Sequence, residues 1–287
     1  MEGIMLISHE QMREINDVQI DILKAVSDVC KALKIEFFMV HGSLLGTIKN
    51  HKFIPDDDDI DIALRRNDYE LFVKEAPKLL DKHFFVQTCL TDVGYPLEFG
   101  KVRDSRTTYV IENSRKLKIN HGIYIDIFPI DNCYGGGLIS KFYNLKYKLL
   151  NMRIASTLDL KGESVVKKTV RLFSKIFNPS YARAVLEREK MLKRCPATGY
   201  VRMSGGKTTE QNMPIEWFSK AVPGVFEGVE VFVPEEYDKY LSLIYGEYAS
   251  RTLVENKVCD EHNIEVNACI IDVNKPYKDY AVGNWEK

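Results

Sequence analysis

The sequence predicts an α+β fold, a mixed sheet core with a basic helical insertion and a C-terminal α/β segment. Three observations predict it. Apolar residues near the N-terminus repeat at three and four, several short β-branched and aromatic runs follow with turn residues between them, and the stretch after residue 137 is both helical in pattern and strongly basic.

Ser8 and Gln11 form a capping box, and Ile15, Val18, Ile22, Val26, Val29 and Leu33 carry one apolar stripe, so a long amphipathic helix opens the chain. Ile35 to Val40 reads as a buried strand that delivers His41, Gly42 and Ser43 to a turn. Glycine permits close backbone approach there, and the N–H groups of the following helix start can hold a phosphate. Ile60 to Leu64 is a second strand, and residues 67 to 82 a helix. Phe84 to Leu90, Pro96 to Arg103, Thr107 to Glu112 and Gly122 to Phe128 read as further strands.

Gly135, Gly136 and Gly137 are the clearest break. They divide a catalytic core over residues 1–135 from a basic helical segment over 136–195, after which 196–287 completes the site within one structural unit. In that last part Phe226 to Val233 alternates like strand, and Pro234 starts a helix through Tyr245.

The chemistry lies in the run from Asp56 to Asp61, where five of six positions are carboxylates. So many like charges resist a compact fold unless water or divalent cations absorb them. A solvated acidic loop is the plainer alternative, yet such a loop has no reason to run directly into an apolar strand. On a strand Asp59 and Asp61 share one face, and Asp126, the single charge in Gly122 to Phe128, offers a third carboxylate. Hard oxygen ligands without nearby Cys or His suit Mg2+, most simply as two ions, with Mn2+ as the alternative. Lys101 and Arg103, two residues apart on a predicted strand, can face the same site and meet phosphate oxygens. Lys49 is a weaker phosphate ligand, and His41 and His121 each adjoin a glycine beside a motif; for these three, surface charge or a structural imidazole is the competing reading.

These residues resemble a known family. Gly42 and Ser43 followed by Asp59-Ile60-Asp61-Ile62 and a later strand aspartate resemble the polymerase-beta-like nucleotidyltransferases. The fuller strings, Gly42 to Pro55 and Gly122 to Asp131, together with Lys101-Val102-Arg103-Asp104 and Tyr245-Gly246-Glu247-Tyr248, resemble the LicD phosphotransferases, to which fukutin-related proteins belong. The resemblance is dense over residues 36 to 131 and returns near 214 to 248. One departure is Asp56, where the family usually has Trp.

The resemblance implies a nucleotidyltransferase-like core with Asp59, Asp61 and Asp126 as metal ligands and catalytic residues beside Lys101 and Arg103. Gly42, Ser43, Lys49, His121 and Tyr245 become the candidate substrate-binding residues. It also implies a phospho-alcohol donor, CDP-choline or another CDP-alcohol, and a hydroxyl acceptor on a surface glycan, teichoic acid precursor or lipid-linked glycan, with CMP released. A quaternary ammonium would want an aromatic cage, for which Tyr95, Phe99, Tyr109, Tyr124, Tyr134, Trp217, Tyr245 and Tyr248 are available. Two other classes stay open: a small-molecule nucleotidyltransferase releasing pyrophosphate, and a non-catalytic polyanion or membrane adaptor.

Composition bounds these readings. At 287 residues, 45% hydrophobic and 28% charged, the chain suits a globular protein with a full core. No basic start precedes an apolar stretch and no run of 18 apolar residues exists, so a cytoplasmic protein is expected. Six scattered cysteines fit reduced thiols, and the spacing of Cys259 and His262 lacks the second pair a zinc site needs. The net charge of −1 hides an asymmetry: residues 136 to 195 hold 14 Lys and Arg against four acids. Those cations include Lys141, Lys148, Lys167, Lys168, Arg171 and Lys175, with apolar residues between them that pack a helix on the core. The exposed charge predicts peripheral contact with anionic lipid at the inner membrane face or with a polyanionic acceptor polymer, without insertion; no nucleic-acid motif accompanies it.

Overall fold

The computed structural model describes residues 5–54, 57–155, 180–205, 212–246 and 264–280. Asp56, the cations from Lys167 to Lys175, Tyr248, Cys259 and His262 therefore lie outside the described residues.

β1 (Met5–Ile7) leads into α1 (His9–Leu33), whose start is the expected capping box: the Gln11 N–H donates to Ser8 Oγ and the Ser8 N–H to Gln11 Oε1. Lys34 closes the helix in the left-handed region at φ 57°. β2 (Phe37–Met39), α2 (His41–Lys49) and β3 (Asp61–Arg65) follow, then α3 (Arg66–Leu79), β4 (Phe84–Gln87), β5 (Gly100–Asp104), β6 (Thr108–Val110) and β7 (Ile123–Asn132). Next come α4 (Gly137–Ala155), α5 (Tyr181–Lys193), β8 (Tyr200–Met203), β9 (Met213–Pro214), the β10 (Ala221–Phe226) and β11 (Val229–Pro234) hairpin, and α6 (Tyr237–Tyr245). β12 (Ile264–Val266) and β13 (Ile270–Asp272) end the described chain.

The main sheet runs β2-β3-β7-β5-β4, with β8 and β9 continuing from the far end of β7. β3 and β7 are parallel; the other pairs are antiparallel, so the α+β class and the mixed sheet hold. α1 and α3 pack together against it, and Ile62, Val102, Ile125 and Ile127 are buried in the main core. The C-terminal part is woven in: β12 pairs with β1, β13 with β6, and Phe232 meets Phe37 edge to face.

Several boundaries differ from expectation. The strand expected from Pro96 begins at Gly100, and the one expected to end at Phe128 runs on through Pro129 to Asn132. Pro129 is tolerated because β7 changes neighbours there: its pairing with β5 ends at Ile127 and that with β8 begins at Ile130, so the missing N–H falls in a gap of the ladder. Pro234 closes a strand instead of opening a helix, which starts at Tyr237.

The largest difference is α4. Its apolar residues were expected to pack inward, yet Phe142, Leu145 and Leu149 are exposed, and Tyr147, Leu150 and Ile154 make the contact with the body and α5.

Candidate active site

Sheet register assembles the site. Asp61 on β3 stands directly opposite Asp126 on β7, and Asp126 opposite Lys101 on β5. Directly opposed residues share a face, so two acids and one lysine form a row across three strands, with Gln87 on β4 next in line. Asp59, just before β3, joins them: carboxylate oxygens of Asp59, Asp61 and Asp126 lie within 4.8 Å of one another. Only two of the described acids of the run take part. Asp58 turns away, accepting a hydrogen bond from the Tyr109 hydroxyl at 2.8 Å, while its carbonyl accepts from Gln19 Nε2, also at 2.8 Å. Asp57 lies against Gly42, where an added Cβ would sit within 3.0 Å of three of its carboxyl atoms. A side chain at position 42 would therefore displace the Asp57 carboxylate.

Ser43 ties the turn to the strand, its hydroxyl accepting the Asp61 N–H at 2.9 Å. His41, the first residue of α2, has φ 50° and lies beside the buried Tyr240, whose hydroxyl is 3.2 Å from His41 Nδ1. Lys49 ends the same helix, about 12 Å along its axis from its start.

The electrostatics are those of an undercompensated acidic pocket. Burial, then repulsion from neighbouring acids, pushes Asp59 and Asp61 well above the usual carboxylate range. Burial also raises Asp126, opposed by its ion pair with Lys101, whose own pKa burial lowers. Lys101 Nζ lies 3.4 Å from the centre of the Tyr124 ring, and the Arg103 guanidinium 4.6 Å from the same ring. The two cations thus share a face as expected, but each already has partners. Arg103 donates to Gln87 Oε1 and the Gly122 carbonyl, both at 2.5 Å. Tyr124, one of the rings available for a substrate cage, is occupied by the protein's own cations.

His121 and Tyr245 have contacts of their own. His121 Nε2 donates to the Leu117 carbonyl at 3.1 Å, and burial lowers its pKa to about 4. It precedes β7 by two residues, five positions before Asp126. Tyr245 packs on the main core at the end of α6. Sequence reasoning missed Tyr240 and Gln19, and offered Tyr109 only as a ring for a substrate cage. Gln19 carried a legible signal, since it sits on the apolar face of α1 between Ile15 and Ile22, where a buried amide needs polar partners.

The residues fit a hard divalent cation. Three oxygen donors converge, they are desolvated, and one lysine offsets part of their charge.

The strands β2, β3, β4, β5 and β7, the glycine–serine turn and the acid cluster all fall within one stretch: residues 34–146 match the family described as LicD/FKTN/FKRP, nucleotidyltransferase domain. Over that stretch the chain is similar to the LicD family. The similarity extends well past that domain, for the chain is 27% identical over 244 residues to the lipopolysaccharide cholinephosphotransferase LicD of Haemophilus influenzae (strain ATCC 51907 / DSM 11121 / KW20 / Rd), covering 83% of this chain and 91% of that protein.

Proposed function

We propose that the protein transfers a phospho-alcohol, phosphocholine first among candidates, from a CDP-alcohol to a hydroxyl of a lipopolysaccharide-type glycan, releasing CMP. The observation that carries this reading is the convergence of Asp59, Asp61 and Asp126 beside Lys101. The similarity to a cholinephosphotransferase supports the phosphocholine and the glycan acceptor.

In the proposed reaction the acceptor oxygen bonds to the phosphorus that bears the alcohol, the diphosphate P–O bond breaks, and CMP leaves. Asp59, Asp61 and Asp126 would hold Mg2+ ions. When bound, these would neutralise phosphate charge and lower the pKa of the acceptor hydroxyl. Asp126 takes the hydroxyl proton on the carboxylate oxygen not engaged by Lys101. Lys101 orients Asp126, and the burial of both side chains strengthens their electrostatic interaction. Ser43 fixes the backbone that presents Asp61.

The test is to incubate the protein with Mg2+, lipopolysaccharide and CDP-choline, CDP-glycerol or CDP-ribitol in turn. CMP release that requires the acceptor supports the proposal and identifies the alcohol. Pyrophosphate release from a nucleoside triphosphate, with no CMP from any CDP-alcohol, would replace it with small-molecule nucleotidyl transfer.

A further inference from the structure

α4 presents an apolar stripe to solvent. Leu138, Phe142, Leu145 and Leu149 follow one another at intervals of four, three and four, which places them on a single face of the helix over about 16 Å. Leu138 is 72% exposed and Phe142 70%, with Leu145 and Leu149 exposed as well. The opposite side of the helix already meets the body through Tyr147, Leu150 and Ile154, so the stripe is not a core face left over from packing.

The charges around the stripe identify its partner. At 3.6 residues per turn Lys146 falls about 70° to one side of the stripe, and Lys141 and Lys148 about 70 to 90° to the other. All three are exposed, and α4 contains no Asp or Glu. Apolar side chains between two rows of lysine, whose stems can lie along the hydrocarbon while their ammonium groups reach outward, match the boundary between acyl chains and anionic headgroups. A protein partner with an apolar groove would need acidic rims on both sides, whereas an anionic bilayer meets both lysine rows at once.

We propose that α4 lies in the plane of an anionic membrane surface, with Phe142 and Leu145 inserted below the headgroups. This changes the expectation from sequence, which had the basic segment docking by charge without insertion. The proposal does not depend on the transferase reading, because it rests on a surface that contains none of the site residues.

The test uses the full chain and vesicles of phosphatidylglycerol with phosphatidylcholine, against phosphatidylcholine alone. Binding to the anionic vesicles is expected at low salt. Leu145→Glu and Phe142→Glu should each weaken it roughly tenfold or more, while Lys141→Glu with Lys146→Glu should weaken it and reduce its salt dependence. Phe142→Trp should show a blue shift of emission on the anionic vesicles. These side chains are exposed, so thermal melts without lipid should match the wild type. Three results would overturn the proposal: no binding to anionic vesicles at low salt; binding that Leu145→Glu and Phe142→Glu leave unchanged; or loss of self-association in those variants with no vesicle binding by the wild type, which would assign the stripe to a second copy of the chain.

Discussion

Lys101 and Asp126 face each other directly across the β5–β7 ladder, and their ion pair is almost wholly buried, with side-chain exposures of 3% and 9%. Removing one partner leaves the other charge stranded in low dielectric. Lys101→Met should therefore cost about 3 to 5 kcal/mol of stability, while Lys101→Met with Asp126→Leu should recover much of it and remain inactive. Chemical denaturation of both variants checks this; equal stability of the two would show that Asp126 left without its lysine costs nothing.

The triad should be costly to fold around without metal. Asp59→Asn, Asp61→Asn and Asp126→Asn are each expected to lower turnover by orders of magnitude, because each removes a proposed metal ligand. Asp59→Asn should also raise the melting temperature in EDTA, by relieving the repulsion that raises Asp59 and Asp61. An unchanged or lower value in EDTA would argue against that repulsion.

The same shifts fix a pH dependence. Folding raises the pKa of Asp59 and Asp61, so the folded metal-free protein holds protons that the unfolded chain has released. Their contribution is most favourable below the ordinary carboxylate pKa and is lost as pH rises through the raised values. Calorimetry in EDTA should show this loss relative to Asp59→Asn, and saturating Mg2+ should abolish it.

His121 gives the opposite sign. Its pKa falls from 6.5 to about 4 on folding, so its contribution is present above pH 6.5 and disappears as pH drops toward 4. The difference amounts to about 3 kcal/mol at most. His121→Gln keeps a donor for the Leu117 carbonyl and should flatten the acid limb of the stability profile over that window. An unchanged limb would place the acid sensitivity elsewhere.

Ser43→Ala removes the acceptor for the buried Asp61 N–H. A loss of about 1 to 3 kcal/mol is expected, with a fall in kcat larger than any change in KM, since the strand that presents Asp61 shifts. A change in KM alone would make Ser43 a substrate contact instead of a positioning residue.

Much of the site was legible because its signals are local. A capping box, a period of two in Asp59-Ile60-Asp61-Ile62 and one acid in an apolar run need only the neighbouring residues to be read. The roles of Asp57 and Asp58 were not legible, because both belong to the same acidic run and are separated only by contacts with Gly42, Tyr109 and Gln19. Lys49 at the end of α2 and His121 just before β7 were candidates from their proximity to motifs along the chain, which does not set their distance from the acids.

By itself the sequence determined the strand-borne aspartates, the glycine–serine turn, the long opening helix and the charge of the helical segment. Tertiary structure alone decided that Asp126, 65 residues beyond Asp61, stands opposite it, that Lys101 neutralises Asp126, and that the apolar stripe of α4 faces outward. The reason is physical: side-chain periodicity is a property of the local backbone, whereas strand register and the choice of buried helix face depend on which distant surfaces gain most by leaving water.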